Sequence, residues 1–179
     1  MSKHIRDIPI SLIPLILLSF QTMNVDHSDL EVAIKQVVAN LHGVEELYPG
    51  QLALLNQLFQ DDNIFYTSST NSGKTLPTVI FPDVIKKLNV MGYSFPLKPK
   101  VLFLTALNSI QLSLMVTLKN LGIICDSMNS ENADTLLSSD ISVLFISPET
   151  LKVHEVTKAL LQFRSDFVLK VVDEAHLGI

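Results

Sequence analysis

The sequence predicts an α/β fold in which helices cover both faces of a parallel sheet. Short apolar runs rich in β-branched residues alternate along the chain with segments of helical periodicity. The runs are apolar on both faces, which is typical of buried strands in parallel sheets flanked by two helical layers. We therefore expect a three-layer domain that binds its ligands at the carboxyl ends of the strands.

Composition is that of an ordered globular protein. The chain has 179 residues, 47% apolar and 17% charged, which suits one domain with a sizeable core. Its pI is about 5.4, and this acidity argues mildly against tight nucleic-acid binding by this chain alone. The single cysteine, Cys125, excludes an internal disulfide and a cysteine-based metal site, and we expect it to be a buried strand thiol.

Residues 1–27 are expected to form an apolar leader of poor order or atypical structure, ahead of one domain over residues 28–179. Basic residues precede the apolar run 8–20, as in a signal peptide. However, Pro9 and Pro14 interrupt the run, no Ala-x-Ala-like site follows, and the run is too short to span a bilayer as a helix. We expect no membrane partner, and the cytoplasm or a eukaryotic nucleus rather than secretion.

Two helices are predicted ahead of the alternating region. Ser28-Asp29-Leu30-Glu31 has the pattern of a capping box, after which apolar residues follow at helical spacing to Leu41, with Gly43 as the stop. Tyr48-Pro49-Gly50 is a turn from which Gln51 opens a short helix. The predicted apolar side of that helix comprises Leu52, Leu55, Leu58 and Phe59.

Strands and helices then alternate. The predicted strands are 64–67, 100–105, 123–125, 141–146 and Phe167–Val172. Helices are predicted up to about Asn89, over 109–121 with Gly122 as its cap, over about 132–137, and after the cap Ser147-Pro148-Glu149. In the first of these helices Pro77 fits the first turn, whereas Pro82 should kink or end the helix.

The segment after the first predicted strand has the composition of a phosphate-binding loop. It reads Thr70-Asn71-Ser72-Gly73-Lys74-Thr75, and Ser68 replaces the first glycine of Gly-x-x-x-x-Gly-Lys-Ser/Thr. Backbone N–H groups of such a loop, and of the helix that follows, point at phosphate oxygens. Lys74 would reach the β- and γ-phosphates, and the Thr75 hydroxyl would bind Mg²⁺. Asn71 tolerates a left-handed backbone in place of glycine. The alternative is a chance turn before Lys-Thr.

A second motif, Asp173-Glu174-Ala175-His176, directly follows the last predicted strand. Asp173 would hold Mg²⁺ through water, and Glu174 would orient and deprotonate the attacking water. His176 would sense the state of the γ-phosphate. An apolar strand ending in two carboxylates downstream of Gly-Lys-Thr indicates an ATP–Mg²⁺ site, rather than an exposed acidic strand end with a chance histidine.

These motifs together resemble the RecQ-like branch of the superfamily 2 DNA helicases, over about residues 45–176. Tyr48-Pro49-Gly50-Gln51 is similar to the family's Arg-Pro-Gly-Gln, residues 68–75 to motif I, and residues 173–176 to motif II. Residues 104–110 resemble motif Ia, which contacts the DNA backbone. Residues 144–151 are similar to the family's Tyr-Ile-Ala-Pro-Glu-Arg-Leu.

The resemblance implies a RecA-like lobe that binds ATP and Mg²⁺ and acts on single-stranded or junction DNA. Gln51 would read the adenine edge with Tyr48 beside the base, and Thr105, Asn108 and Ser109 would contact the DNA. In the family, a second RecA-like lobe follows and supplies an arginine finger. Because the chain ends shortly after motif II, we expect an incomplete first lobe that is inactive or weakly active alone.

Two other functions stay open at the level of sequence. A non-catalytic module could bind a partner protein, or a parent helicase, through the apolar leader and an incomplete sheet edge. Another phosphate-loop NTPase, such as a transporter ATPase, would need a Leu-Ser-Gly-Gly-Gln-like signature, which the sequence lacks.

Overall fold

The computed structural model describes residues 24–60, 64, 73–105 and 108–172. In this part of the chain the helices are α1 (His27–Val38), α2 (Pro49–Leu58), α3 (Thr75–Val90), α4 (Asn108–Asn120), α5 (Ala133–Ser138), α6 (Pro148–Leu151) and α7 (His154–Gln162). The strands are β1 (Lys100–Leu104), β2 (Cys125–Ser127), β3 (Val143–Ile146) and β4 (Phe167–Val172).

The four described strands form one parallel sheet in the order β2-β3-β1-β4. Leu104 at the end of β1 is level with Ile146 of β3 and with Val172 of β4. Because all strands run the same way, they end on one side, here called the carboxyl edge, and begin on the opposite amino edge. The prediction of an α/β fold with an all-parallel sheet is confirmed.

Helices cover both faces of this sheet. Val101 and Phe103 of β1 point into a core shared with α1, α2, α3 and α4. Leu102 and Leu104 point the other way, into a core shared with α5, α6 and α7. Strand side chains alternate between faces, so an apolar strand such as β1 needs a helical layer on each side.

Helix α1 begins earlier than predicted. Its N-cap is Asp26, whose carboxylate accepts a hydrogen bond from the Ser28 N–H at 2.8 Å. The predicted capping box at Ser28 is therefore wrong. The Tyr93 hydroxyl accepts a hydrogen bond from the Asp26 N–H at 3.0 Å, so a contact distant in sequence helps to fix the start of α1. The helix ends at Val38, well before the predicted stop at Gly43.

Helix α2 also begins earlier than predicted, at Pro49 rather than Gln51. Tyr48 has an extended backbone and precedes the helix, and proline suits the first helical position. Of the predicted apolar side, Leu55 and Phe59 are buried, but Leu52 is exposed and Leu54 is buried instead. The buried side of α2 is thus rotated from the predicted one.

Pro82, which is predicted to kink or end the helix, does not end it, because α3 continues through this residue to Val90, close to the predicted end at about Asn89. A proline inside a helix removes one backbone hydrogen bond and costs about 3 kcal/mol. Val79, Ile80, Val84 and Ile85 are fully buried on either side of it. Burying each such side chain contributes about 1.5–3 kcal/mol, which offsets the loss at Pro82.

Strand β2 lies later than the predicted strand 123–125. The Ile123 N–H donates to Leu118 O at 2.9 Å as part of the end of α4, and the first residue in register with β3 is Cys125, opposite Val143. Cys125 is buried as predicted, and burial raises the pKa of its thiol. The predicted strand 64–67 lies outside the described residues except for Ile64, which is in no regular element.

Candidate functional site

Strands β1, β3 and β4 end side by side at the carboxyl edge. Thr105 follows β1, and its N–H donates to Ile146 O at 3.1 Å. Ser147 follows β3 and caps α6 by accepting from the Thr150 N–H at 3.1 Å, as predicted. Asp173, Glu174 and His176 come directly after Val172 in the sequence, outside the described residues.

Helix α3 packs against β1 and β4, and its direction sets the position of its first residue. Its second half is held at the amino edge, where Lys86 Nζ donates to Ser142 Oγ at 2.9 Å just before β3. A helix rises about 1.5 Å per residue, so Thr75 lies roughly 16 Å back along the axis from Lys86. That distance is comparable to the length of the strands, so α3 begins toward the carboxyl edge.

Few backbone N–H groups at the start of α3 remain available to a ligand. Gly73 has a left-handed backbone, with φ of 68°. The Leu76 N–H donates to Gly73 O at 3.0 Å, and Pro77 has no N–H. The N–H groups of Lys74 and Thr75 are therefore the ones that could face an anion at this helix end. The Lys74 side chain is exposed beside them. Thr70, Asn71 and Ser72 lie outside the described residues.

Gln51 brings the start of α2 into contact with this loop. Its Nε2 donates to Gly73 O at 3.0 Å, and its Oε1 accepts from the Tyr48 N–H at 2.9 Å. Gln51 is only 6% exposed, whereas Tyr48 is 69% exposed. A Cβ on residue 73 would overlap Gln51 Nε2, so this contact needs a glycine there.

The three residues predicted to contact DNA differ in accessibility. Asn108 and Ser109 open α4 and are exposed, whereas Thr105 is buried. Gln111, which the sequence reading missed, is also buried, and its Nε2 donates to Ser127 Oγ at the end of β2. The sequence could have indicated this contact, because a glutamine on the apolar side of a predicted helix needs a polar partner once it is buried.

Two lysines of the sheet have desolvated ammonium groups, since Lys100 is buried and the Nζ of the partly buried Lys170 is buried. Lys100 begins β1 with its Nζ donating to Ser139 O at 2.6 Å and Ile141 O at 3.3 Å, and desolvation lowers its pKa. Lys170 lies on β4 beside Leu102, and desolvation lowers its pKa to about 8. Lys100 is at the amino edge and supports the fold there. Lys170 lies closer to the carboxyl edge.

A metal-binding cluster, a membrane-spanning helix or a related protein would each help to assign a function. In residues 24–60, 64, 73–105 and 108–172, no group of three or more His, Cys, Asp or Glu side chains could hold a metal ion. The predicted ligand Asp173 is not among these residues. None of the described helices is long and apolar enough to cross a membrane. No protein-family model matches the chain, and no curated protein matches it.

Proposed function

We propose that this chain is the ATP-binding lobe of a RecQ-like DNA helicase, with a RecA-like fold. The observation that carries the proposal is the position of Gly73, Lys74 and Thr75 at the start of α3, toward the carboxyl edge where β4 ends. Ligands of parallel α/β sheets bind outside this edge. A four-stranded parallel sheet flanked by helices is compatible with a RecA-like lobe.

The residues at this edge suit a nucleoside triphosphate. The exposed Lys74 ammonium would pair with the β- and γ-phosphates, and the N–H groups of Lys74 and Thr75 would donate to phosphate oxygens. The Thr75 hydroxyl and Asp173 would hold Mg²⁺, which neutralises charge that develops on the phosphates. Glu174 would accept a proton from the attacking water. His176 would respond to the γ-phosphate.

DNA would bind at the start of α4. The exposed Asn108 and Ser109 side chains can donate to a DNA phosphate together with the N-terminal N–H groups of the helix. The buried Thr105 would hold the segment that leads to them. The net charge of −5 predicts weak and salt-sensitive binding by this chain alone. Efficient turnover would need the arginine finger of a second RecA-like lobe.

Binding of Mg²⁺–ATP to the whole chain, measured by isothermal titration calorimetry, tests this proposal. Lys74→Ala should weaken binding at least about tenfold, which corresponds to about 1.4 kcal/mol. Lys158→Ala, which removes an exposed lysine on α7, should leave the affinity unchanged. No ATP binding by the wild-type chain, or equal affinity in the Lys74 variant, would overturn the proposal. Hydrolysis of ATP, with and without single-stranded DNA, measures the activity of the lobe itself.

One observation favours the alternative of a non-catalytic interaction module. Leu112 and Val116 lie one turn apart on α4, and each is more than 60% exposed. Apolar side chains at this spacing are typical of a helix face that binds another protein. A cell-based assay of the Lys74→Ala variant distinguishes the two functions. If the cellular role of the protein persists in this variant, that role does not depend on ATP binding.

A further inference from the structure

The Gln51 side chain is engaged at both ends of its amide within the chain. Its oxygen accepts from the Tyr48 N–H, and its nitrogen donates to Gly73 O. To read a base edge, a glutamine must present its oxygen and one N–H along an open side of the amide. At 6% exposure, with its oxygen and nitrogen turned toward Tyr48 and Gly73, Gln51 offers a base little open edge.

The Gly73 carbonyl receives two donors, the Leu76 N–H and Gln51 Nε2, each at 3.0 Å. These two bonds fix the direction of the carbonyl. The peptide unit is planar and trans, so the Lys74 N–H points away from the Gly73 carbonyl in the same plane. Gln51 therefore fixes the direction of the Lys74 N–H, one of the donors that could face a phosphate.

We propose that Gln51 is a positioning residue that aims the Lys74 N–H at a phosphate, and that the site selects polyphosphates with little regard to the base. The proposal rests on the proposed nucleotide site and replaces the adenine-reading role that the resemblance implies for Gln51. The exposed Tyr48 ring fits such a site, because an aromatic ring stacks on any base. The ligand class is then nucleoside triphosphates in general.

Calorimetric titration of the whole chain with ATP, GTP and inorganic tripolyphosphate, each with Mg²⁺, tests the selectivity. The wild-type affinities for ATP and GTP should agree within about threefold, which is less than about 1 kcal/mol. Gln51→Glu keeps the acceptor for Tyr48 but sets a carboxylate oxygen against Gly73 O. This variant should weaken all three ligands by one common factor, about tenfold.

Gln36→Glu is the matched control, since it makes the same change on the exposed side of α1 and should leave all three affinities unaltered. A wild-type preference for ATP over GTP of about tenfold or more, lost in Gln51→Glu, would show adenine reading and overturn the selectivity proposal. The wild-type comparison alone decides this point if the variant does not fold.

Amide hydrogen exchange without nucleotide tests the positioning role separately. In Gln51→Glu the amide of Leu76, whose N–H donates to the same Gly73 carbonyl, should exchange about tenfold faster than in the wild type, and those of α7 should not change. An unchanged rate at the Leu76 amide would overturn the positioning role. If none of the three ligands binds, both the proposed nucleotide site and its proposed selectivity are wrong. The exchange rates then still test whether the contact of Gln51 with Gly73 orders the start of α3.

Discussion

The Ser142 hydroxyl donates a hydrogen bond to Asp83 Oδ1 at 3.1 Å and so joins α3 to the start of β3. Lys86 Nζ completes the cluster, since it lies 3.0 Å from Asp83 Oδ1 and 2.9 Å from Ser142 Oγ. Ser142 is buried and therefore depends on these partners. The cluster fixes α3 along its axis, and with it the position of Gly73 and Lys74 at the opposite edge.

Ser142→Ala should lower the free energy of unfolding by about 1 kcal/mol, because it removes a buried hydroxyl that bonds two partly exposed side chains. Urea unfolding measures this loss. Ser113→Ala, on the exposed side of α4, should change stability by less than about 0.5 kcal/mol. Equal effects of the two substitutions would show that the cluster does not stabilise α3.

The stability of the chain should rise with pH through the titration of Lys170. Its pKa is about 8 in the folded chain, against 10.5 for an ordinary lysine. Between these values the unfolded chain holds more protons, so raising the pH favours the folded state. Relative to Lys170→Met, the free energy of unfolding should increase by roughly 1–3 kcal/mol over this range.

Urea unfolding of the wild type and Lys170→Met at several pH values between 7 and 10.5 measures this difference. Other lysines and Cys125 titrate in both proteins, so their contributions cancel in the comparison. A difference between the two proteins that stays constant with pH would contradict the lowered pKa of Lys170.

Gly122→Ala should destabilise the chain by about 1–2 kcal/mol, because Gly122 has a left-handed backbone that alanine adopts at this cost. Its φ is 88° at the end of α4, where its N–H donates to Lys119 O at 3.1 Å. Thermal unfolding measures the loss. Asn120→Ala, two residues earlier on the exposed surface, should have less than half this effect. Comparable losses of stability in the two variants would show that the strain does not lie at Gly122.

Replacing both Asn108 and Ser109 with alanine should weaken binding to single-stranded DNA about tenfold at low salt, while leaving Mg²⁺–ATP binding unchanged. The two side chains are exposed at the start of α4, where they could donate to a phosphate. Fluorescence anisotropy with a labelled oligonucleotide measures the change. The double variant Ser113→Ala/Asn120→Ala alters the same residue types on the same helix. Equal binding by both double variants would exclude this DNA contact.

Local patterns predict the elements better than they predict where the elements begin. Strand Phe167–Val172 begins at the predicted residue and continues to Val172, where the described residues end, because its apolar run suits a strand packed between two helical layers. At the start of α1, both Asp26 and Ser28 are able to cap a helix. The bond from the Asp26 N–H to the Tyr93 hydroxyl spans 67 positions of the chain, and no local pattern contains it.

The sequence by itself determined the α/β class, the parallel sheet and the placement of Gly-Lys-Thr just before a helix, because periodicity and motif spacing are local properties. Only the tertiary structure decided that α3 continues through Pro82, that the strand order is β2-β3-β1-β4, and that Gln51 bonds Gly73. These features depend on packing between segments distant in sequence. Their free energy comes from burial and from hydrogen bonds that form only when the chain has folded.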